Sequence, residues 1–417
     1  MGKTRSSRYA WMAFGAICIM SVVWTGIQFN CMNLYAAPVV ADLGITRTQF
    51  MVVLSLPGAI SSVISLFFFG SIEQRIGIRR MMLIGGIINT LSFLIWAFMD
   101  SLWMLYLGGT LYGFGCSITA YTCVSAAVNT WFKHRMGTLV GIANSLGNAA
   151  GIIFAIVVSH FIATIGWRGS FALCAGISVA SVIACVALFR GSPEDLGVAP
   201  LYADAQEARV PDEAAGLVPA APSAAGLPFA QALRKPKLWL LAIGFLLLGT
   251  ITYGIMSTLP LFALDLGFGD LQGQVVSVSL FAAALAMVPM GIFCDKVGTK
   301  WGLVLTGILV VAAAIVLRLP ALPFSAVVAA AVCAGAAYGA CGVTVGVGVK
   351  EALGDVDYSK KLGLCSGFMY VGFAFAPAAT NLAYDCMGSY SAILGAYAVL
   401  AVLMAVFFCI GMNRRLG

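Results

Sequence analysis

The residues in this sequence best suited to bind a small molecule are asparagines and tyrosines inside long apolar segments. Amide and hydroxyl groups hydrogen-bond carboxylates and carbonyls, and they also join neighbouring helices. For Asn144 and Asn148, which share a helical stripe with Gly141 and Gly151, both roles stay open. For each tyrosine, simple packing with a satisfied hydroxyl is an equal alternative. The candidate contacts are Asn30, Asn33, Tyr112, Asn144, Asn148, Tyr253, Tyr338 and Tyr370.

No ionisable side chain lies near the centre of an apolar segment. His134 falls in a loop, His160 falls near a segment end, and the 12 cysteines show no metal-ligand spacing. An enzyme needs convergent acids, bases or metal ligands, and an ATP-driven pump needs a glycine-rich phosphate loop. The sequence has neither pattern. We therefore predict no catalytic residue, no metal site, no cofactor and no enzymatic activity.

The bulk composition indicates what surrounds these segments. Hydrophobic residues make up 61% of the chain and charged residues 9%, and the mean hydropathy is +1.00. A soluble domain carries about 25% charged residues, so this chain cannot cover a water-facing surface. A membrane span needs about 20 mostly apolar residues. That length predicts an all-α membrane protein with twelve spans, at 9–36, 49–70, 81–99, 102–128, 137–162, 169–189, 237–264, 272–293, 301–319, 324–348, 362–384 and 390–412.

The basic residues predict how the spans are oriented. With the N-terminus inside, 20 of the 23 Lys and Arg residues fall in the two tails and the inner loops. Only Arg47, Arg168 and Arg318 fall in outer loops. The positive-inside rule therefore predicts that both termini lie in the cytoplasm. The expected location of this multi-pass protein is the plasma membrane. Topology accounts for the net charge of +7, so we predict no nucleic-acid partner. The expected partners are the lipid bilayer and a small-molecule substrate, and the expected state is a monomer.

The longest loop divides the spans six and six. Residues 190–236 are rich in proline, alanine and acidic residues, and such a composition cannot bury enough apolar surface to fold alone. We predict a flexible cytoplasmic linker with a short amphipathic piece near 229–233. The predicted domains are an N-terminal six-helix bundle at 1–189, the linker at 190–236 and a C-terminal six-helix bundle at 237–417.

Four motifs recur in the same order in both halves, at offsets of 221 to 226 residues. Three of the pairs are Asp42-Leu43-Gly44 with Gln49 and Asp265-Leu266-Gly267 with Gln272; Gly109-x-x-Tyr112-Gly113 and Gly335-x-x-Tyr338-Gly339; and Arg135-x-Gly137-x-x-x-Gly141 and Lys361-x-Gly363-x-x-x-Gly367. The repeat predicts two pseudo-symmetric bundles related by an axis along the membrane normal.

The repeat also selects between polar residues of the first span. At about 100° per residue, Gln28 points about 200° away from Asn30, so both cannot face the same path. The offset of 223 pairs Asn30 with Tyr253 and Gln28 with Ile251. We therefore predict that Asn30 and Tyr253 face the centre of the protein.

The fourth repeated motif carries the most specific signal. Gly70-x-x-x-Gln74-Arg75-x-Gly77-x-Arg79 recurs as Gly291-x-x-x-Asp295-Lys296-x-Gly298-x-Lys300. Both copies resemble the signature loop of the major facilitator superfamily, Gly-x-x-x-Asp-Arg/Lys-x-Gly-x-Arg/Lys, between helices 2 and 3 and helices 8 and 9. The resemblance covers nearly the whole chain and implies the twelve-helix major facilitator fold with a gate on its cytoplasmic side. The first copy departs from the pattern, with Gln74 in the place of the acid and Glu73 beside it.

Each residue type in this gate motif has a physical role. The first glycine of each copy allows helices from opposite halves to approach closely. The acid caps, or pairs with, the end of a neighbouring helix. The second glycine, Gly77 or Gly298, turns the chain where only glycine adopts the required dihedral angles freely. The basic pair anchors the loop at the lipid headgroups.

Shorter runs resemble the monocarboxylate and oxalate/formate branch of that superfamily. They are Trp131-Phe132-Lys133-His134-Arg135-x-Gly137, Ser192-Pro193-Glu194-Asp195-Leu196-Gly197-Val198-Ala199-Pro200 and Asp385-x-x-Gly388-Ser389-Tyr390. The branch implies small organic anions as substrates, held in its oxalate/formate members by basic residues in helices 8 and 11. In this chain neither helix has such a residue. A buried dianion without a cation costs several kcal/mol, so a dicarboxylate is disfavoured, whereas a monoanion or a neutral solute fits.

The expected function is a secondary active or facilitative carrier. It moves a small organic solute, a monocarboxylate-like organic anion, by alternating access, as a uniporter or as an exchanger (antiporter). An exporter of neutral or amphipathic compounds is the first alternative. A non-transporting receptor on the same fold is the second, because one fold hosts many functions.

Overall fold

The computed structural model describes residues 2–198, 200–201, 226–268, 271–319, 323–387 and 390–413. The helices of the first half are α1 (Gly2–Met20), α2 (Ala36–Leu43), α3 (Arg47–Phe67), α4 (Phe69–Ala97), α5 (Leu102–Thr119), α6 (Tyr121–Trp131) and α7 (Met136–Leu188). A short helix follows, α8 (Phe229–Ala232). The helices of the second half are α9 (Pro236–Asp265), α10 (Gln272–Val297), α11 (Thr299–Val316), α12 (Phe324–Leu353), α13 (Tyr358–Met387) and α14 (Ser391–Gly411).

These helices account for the twelve spans. Among the described residues, nine helices are long and apolar enough to cross a membrane. One of them, the 53-residue α7, contains two spans, which meet at Gly166, where the backbone φ is 74°. The more polar α3 and α13 supply the remaining two spans. The predicted all-α fold of twelve spans in two pseudo-symmetric halves is confirmed.

The helix packing follows the internal repeat. In the first half α3 packs on α5, and α4 packs on both α5 and α7; in the second half α10 packs on α12, and α11 packs on both α12 and α14. The first span packs on α7 as α9 packs on α13. The halves meet mainly through two pairs, α7 against α10 and α3 against α13, with smaller contacts of α4 and α6 on α13 and of α6 and α7 on α12. The candidate residues on these helices therefore face the seam between the halves.

The repeat is visible in the backbone as well. Gly44 and Gly267, which are equivalent in the repeat, both adopt a positive φ, of 63° and 83°. Each follows the end of a helix, a position where the left-handed region favours glycine. The next helix, α3, starts with a capping box, because Thr46 accepts from the backbone of Gln49 while the Gln49 side chain accepts from the backbone of Thr46. The side chain of the equivalent Gln272 lies outside the described part of the structure.

The first span differs from the predicted regular helix. A π-helix occupies Ser21–Phe29 and a 3-10 turn occupies Met32–Tyr35. This irregular segment packs closely on α7: a Cβ atom added at Gly26 would lie 3.1 Å from the carbonyl oxygen of Gly147. The fourth span is likewise broken, into α5 and α6, at Ala120. The assumption of about 100° per residue is therefore wrong for the first span, since a π-helix has more residues per turn.

The two ends of the molecule are distinguished by their loops. We call the end that holds residues 132–135, 192–198, 200–201 and 354–357 the linker face, and the opposite end the far face. At the linker face Leu201 pairs with the end of α6, because its backbone N–H donates to the Trp131 carbonyl at 2.9 Å. The predicted amphipathic piece is present as α8. The prolines and acids predicted to make the linker flexible, between 202 and 225, lie outside the described residues.

The far face of the first half is held together by one arginine. Arg168, in the turn between the two spans of α7, donates to Asp42 at 2.6 Å and to Asp100 at 3.1 Å. Its guanidinium also lies 4.1 Å from the Trp167 ring centroid. Because all the partners are at least partly exposed, these ion pairs fix loop positions more than they add stability.

Candidate substrate site and gate

An aromatic cluster lies on the surface that the second half presents to the seam. Phe373 on α13 is its centre, with ring centroids 5.2 Å from Tyr253 and 5.9 Å from Tyr338. Tyr370 lies 6.0 Å from the same ring, and the rings of Tyr253 and Tyr338 are 6.0 Å apart. Such distances are typical of tilted and edge-to-face aromatic pairs. Three predicted tyrosines from α9, α12 and α13 therefore lie together.

Polar residues of the first half contact this cluster. The hydroxyls of Thr122 and Tyr370 are 3.2 Å apart, which joins α6 to α13. The Tyr121 hydroxyl accepts a hydrogen bond of 3.4 Å from the Asn148 amide and lies beside the hydroxyl of Tyr338. The predicted residues Asn148, Tyr338 and Tyr370 are thus brought to one site across the seam.

Two buried tyrosine hydroxyls, that of Tyr338 in this cluster and that of Tyr112 on α5, have no hydrogen bond of ordinary geometry. Tyr112 and Tyr338 are 5% and 4% exposed, and within the described part of the chain neither hydroxyl meets a partner in ordinary geometry. Their nearest polar neighbours are Cys116 and Tyr121. A buried polar group without a partner costs about 1–3 kcal/mol. A bound carboxylate or carbonyl oxygen that accepted from these hydroxyls would recover that free energy.

The two asparagines on α7, Asn144 and Asn148, differ in their hydrogen-bond partners. The Asn144 amide nitrogen donates to the Gly342 carbonyl at 2.9 Å, and Ser145 donates to the Ala284 carbonyl at 2.7 Å. Both bonds join α7 of the first half to helices of the second half. The Asn144 side-chain oxygen is buried and unpartnered. Asn148 donates back to the Asn144 carbonyl at 3.1 Å and lies near the sulfur of Met287 at 3.6 Å, so its amide faces the seam.

The polar residues of the first span lie on different sides. Gln28 is buried and donates to the Asn89 carbonyl on α4 at 3.1 Å, inside the first half. Asn30 is partly exposed and lies against Gly151 of α7, where an added Cβ atom would meet its side chain. The side chain of Asn33 lies outside the described part of the structure. Whether Asn30, Asn33 or any other candidate contacts a substrate stays a prediction.

In the segments that cross the membrane, charged side chains lie only near the segment ends. Lys361 illustrates how the end charges are held: it is fully buried, and its ammonium donates to the Leu353 carbonyl at 2.6 Å at the linker face. A site built from hydroxyls, amides and aromatic rings can bind and orient a solute. It offers no strong acid or base for bond-breaking chemistry.

The intact copy of the gate motif joins the halves through Asp295. Its carboxylate accepts from the backbone N–H groups of Gly137 and Thr138, at 2.8 Å and 2.7 Å, and from the Thr138 hydroxyl at 2.6 Å. These N–H groups belong to the first turn of α7, which has no intrahelical acceptors. Asp295 on α10 therefore caps a helix of the other half, at the end where the helix dipole favours negative charge.

In the divergent copy the motif residue is the hydrogen-bond donor, whereas in the intact copy it is the acceptor. Gln74 on α4 donates from its amide to the carboxylate of Asp357 at 3.0 Å. Asp357 stands immediately before α13, has a positive φ of 49°, and also accepts from the backbone N–H of Phe229 at 2.9 Å. That N–H group holds the pKa of Asp357 below its ordinary value, with the Gln74 amide and Lys360 acting in the same direction. The acid missing from position 74 is thus supplied by the opposite half.

The first glycine of each motif copy lies at a close approach between the halves. A Cβ atom added at Gly291 would clash with the backbone of Gly137, and one added at Gly70 would clash with the backbone of Lys360. Because backbone atoms cannot rotate away as a side chain can, only glycine fits at these two positions in this conformation. The linker face is therefore closed between the halves.

The other gate residues turn the chain or face outwards. Gly77 and Gly298 have φ values of 74° and 106°, as predicted for residues that reverse the chain between helices. Arg79 donates to a carbonyl near the end of α7 at 3.3 Å, and the Lys300 ammonium lies 5.7 Å from the Trp301 ring centroid. The remaining basic gate residues, Arg75 and Lys296, are exposed.

Some residues of the site were not among the predicted contacts. Phe373 carries no polar group that would single it out, and Tyr121 ranks below the candidate contacts on the sequence alone. Asp357 lies in the loop before α13. The one signal that points to Asp357 is the substitution at Gln74, because a motif that has lost its acid needs a different partner.

Two pseudo-symmetric six-helix halves that meet at a polar centre define a membrane transport protein. The chain belongs to the Major Facilitator Superfamily, whose family model matches residues 10–274 and 269–415. It is therefore a multi-pass integral membrane protein of a family of transporters.

Individual relatives are distant. The chain is 25% identical over 254 residues to the uncharacterized MFS-type transporter YhjX of Escherichia coli, which covers 58% of this chain and 56% of that protein. It is 30% identical over 110 residues to human monocarboxylate transporter 11, covering 26% and 23% of the two chains. The chain thus matches about half the length of the first relative and a quarter of the second.

A solved structure has the same fold. The Escherichia coli fucose:proton symporter superposes with a TM-score of 0.66 at 14% identity, covering 97% of this chain and 100% of that one. At this identity the similarity concerns the fold alone.

Proposed function

We propose that this protein is a secondary carrier that moves a small monocarboxylate-like organic anion across the plasma membrane by alternating access. It acts as a uniporter or an exchanger and as a monomer. The linker face is cytoplasmic, and the bundles at 1–189 and 237–417 move relative to each other around the linker at 190–236. The excess of Lys and Arg in the predicted inner loops supports this orientation.

The observation that carries the proposal is the uncharged cluster at the seam. Tyr112 and Tyr338 offer two buried hydroxyls without a hydrogen bond of ordinary geometry, and Tyr253 and Phe373 add aromatic faces beside Tyr338. Hydroxyl donors suit one carboxylate, and the aromatic faces suit its apolar part. A second carboxylate would have no cation to neutralise it. The limited similarity to a protein named as a monocarboxylate transporter supports the same substrate class.

The gate supports alternating access. Asp295 and Gln74 make contacts that exist only while the halves touch at the linker face. Breaking them frees one carboxylate and one amide, both of which are exposed and can be solvated. The substrate site would then open to the linker face while the far face closes, which is the two-state behaviour that a carrier requires.

A counterflow experiment tests the proposal. The purified protein is reconstituted in liposomes loaded with one solute, and uptake of the labelled solute is measured for monocarboxylates, dicarboxylates and neutral solutes, with and without a pH gradient. We expect exchange of a monocarboxylate and little exchange of any dicarboxylate. Strong proton-driven uptake of a dicarboxylate would overturn the assignment of an uncharged site.

Variants at matched expression test the site itself. Tyr253→Ala and Asn148→Ala should impair exchange more than Gln28→Ala, because Gln28 is bonded to α4 inside the first half. Tyr370→Phe should reduce exchange more than Tyr106→Phe, whose lost hydroxyl bonds the Gln49 carbonyl away from the cluster. An equal loss of exchange in all of these variants would refute the assignment of Tyr253, Asn148 and Tyr370 to the substrate site.

The same site favours a second candidate function, the export of neutral or amphipathic compounds. Five tyrosines with no positive charge suit an apolar solute that carries one hydrogen-bond acceptor. The discriminating result is the same counterflow assay, in which a neutral solute and no monocarboxylate would exchange.

A further inference from the structure

Three basic residues lie close together at the linker face, where α8 leads into α9. Arg234 and Lys235 are exposed, and Lys237 is half-buried. We call these three residues the basic turn. Three residue steps span at most about 11 Å even in an extended chain, and each side chain is long and flexible. All three positive charges can therefore reach a single anion.

The backbone of the basic turn is ordered by local hydrogen bonds. The N–H of Leu233 donates to the Phe229 carbonyl at 3.0 Å, and the N–H of Lys235 donates to the Ala232 carbonyl at 3.0 Å. The indole N–H of Trp239, on α9, donates back to the Leu233 carbonyl at 2.9 Å. Trp239 thus fixes the turn that carries the three cations.

No acidic side chain neutralises the basic turn within the described part of the chain, since none of its three cations forms an ion pair there. Other cations at the linker face are paired. The ammonium groups of Lys133 and Lys350 lie 3.7 Å and 3.9 Å from the Asp355 carboxylate. The Lys360 ammonium lies 3.8 Å from the Asp357 carboxylate. The basic turn is therefore a concentration of uncompensated positive charge.

The position of this charge does not stabilise the helix that follows. The basic turn lies at the N-terminus of α9, which has 30 residues and no acid in its first turn. The helix dipole favours negative charge at that end and repels cations. The positive-inside rule accounts for basic residues in an inner loop, but it does not require them at a helix N-terminus or in an ordered turn. A bound anion would offset both the mutual repulsion of the cations and the dipole.

The surface of α9 beside the basic turn is apolar. Trp239 and Ile243 are 41% and 37% exposed, and Leu240 and Leu247 are partly exposed. These positions share one face of the helix, and they belong to the segment Pro236–Leu259, which is long and apolar enough to cross a membrane. An exposed tryptophan at the end of a span lies at the level of the lipid headgroups. An anion held by the basic turn would therefore lie next to a surface suited to an acyl chain.

We propose that the basic turn binds the phosphate of an anionic phospholipid, whose acyl chain packs on Trp239 and Ile243. The guanidinium of Arg234 suits a phosphodiester, because its planar fork donates two parallel hydrogen bonds to phosphate oxygens. The two ammonium groups add the charge that a lipid of net negative charge requires. A zwitterionic lipid carries its own cation beside the phosphate, so it gains less from this site.

The test is native mass spectrometry of the purified full-length protein in detergent, titrated with phosphatidylglycerol and, separately, with phosphatidylcholine. One phosphatidylglycerol should bind at least about fivefold more tightly than phosphatidylcholine, and the double variant Arg234→Gln/Lys235→Gln should weaken its affinity about tenfold. The matched control is Arg80→Gln/Arg190→Gln, which removes two exposed charges of the first half and should leave the affinity unchanged. Equal affinity in the parent protein and both double variants would overturn the proposal.

Two further arms distinguish a lipid site from a site for free phosphate. Excess inorganic phosphate should leave the bound phosphatidylglycerol in place, and Trp239→Ala should weaken the lipid's affinity. Trp301→Ala is the control, because Trp301 is an exposed tryptophan at the start of α11. Displacement of the lipid by inorganic phosphate, or equal binding of the two lipids, would overturn the proposal.

The two proposals fail separately. Lipid binding is measured without a transported substrate, so failure of the proposed transport function leaves this test unaffected. If Trp239→Ala does not fold, the charge variants and the phosphate competition decide.

Discussion

The cap that Asp295 places on α7 leads to a direct measurement of gate closure. The backbone N–H groups of Gly137 and Thr138 lie in the first turn of a helix, so they have no carbonyl acceptor within α7. Among the described residues their acceptor is the carboxylate of Asp295, on the other half. Protection of these two amides from hydrogen exchange therefore reports contact between the halves, and not the stability of either half.

The size of the effect of Asp295→Ala follows from these bonds. Loss of a capping side chain costs about 0.5–2 kcal/mol, and Asp295 is exposed, which keeps the value within that range. About 1–2 kcal/mol changes an equilibrium by a factor of about 5–30. Because the bonds exist only in the closed conformation, the whole loss falls on the equilibrium between closed and open gate. We expect exchange at Gly137 and Thr138 to accelerate by at least that factor, because Asp295→Ala also removes the acceptor of both N–H groups from the closed gate.

The assay is hydrogen exchange read by mass spectrometry on the peptide that covers the start of α7. Asp295→Asn keeps one side-chain oxygen as an acceptor and should retain part of the protection. Lys296→Ala is the control, since it changes the adjacent exposed residue and leaves the cap intact. If Asp295→Ala exchanges at the rate of the parent protein, the cap does not hold the gate closed and the reasoning is refuted.

Three further predictions use the same measurement. Gly291→Ala should abolish protection at the start of α7, since its Cβ atom would clash with the Gly137 backbone, whereas Gly273→Ala, with open space around it, should have no effect; equal behaviour would contradict the close-approach argument. Gln74→Glu, the change towards the acid of the family motif, should open the gate more than Gln74→Ala, because two carboxylates 3.0 Å apart repel by about 1 kcal/mol or more; the readout is exchange of the Phe229 amide, and a tighter gate in the Glu variant would refute it. The Phe229 N–H group lowers the pKa of Asp357, so the stabilisation of the closed gate by the Asp357 carboxylate is present above the ordinary Asp pKa and is lost only as the pH falls through the lower folded value. Protection of the Phe229 amide, corrected for intrinsic exchange, should therefore stay constant from about pH 8 to pH 5. A loss of protection near pH 6 would contradict this assignment.

The sequence predicts the features that depend on composition and on the repeat. Span number follows from apolar length, and the equivalence of Tyr112 and Tyr338 follows from an offset of 226 residues. The positive φ of Gly77 and Gly298 follows from the residue type at a turn. In each case the cause is local, so a motif of a few residues contains the necessary information.

Other features depend on contacts between distant segments and are not predictable in this way. The π-helix at Ser21–Phe29 lies where the first span approaches Gly147 of α7, 120 residues or so away in the chain. The pairing of Gln74 with Asp357 joins residues 283 positions apart. Helical periodicity does not specify either feature, because both arise from contacts between segments that are distant in the chain.

The contacts across the seam share a property that suits a protein with two conformations. Asn144 and Ser145 donate to backbone carbonyls of the opposite half, and Asp295 accepts from backbone N–H groups. Each such bond contributes only about 0.5–1.5 kcal/mol net, because water or another partner replaces it when it breaks. A buried ion pair at the same depth would behave differently, since separating it leaves uncompensated charges at a cost of about 3–5 kcal/mol. Among the described residues, the charged contacts across the seam, such as Asp295 and the Lys133–Asp355 pair, lie at the linker face. The part of the seam inside the membrane-crossing segments is joined by uncharged groups, which would keep the barrier to opening low in the proposed carrier.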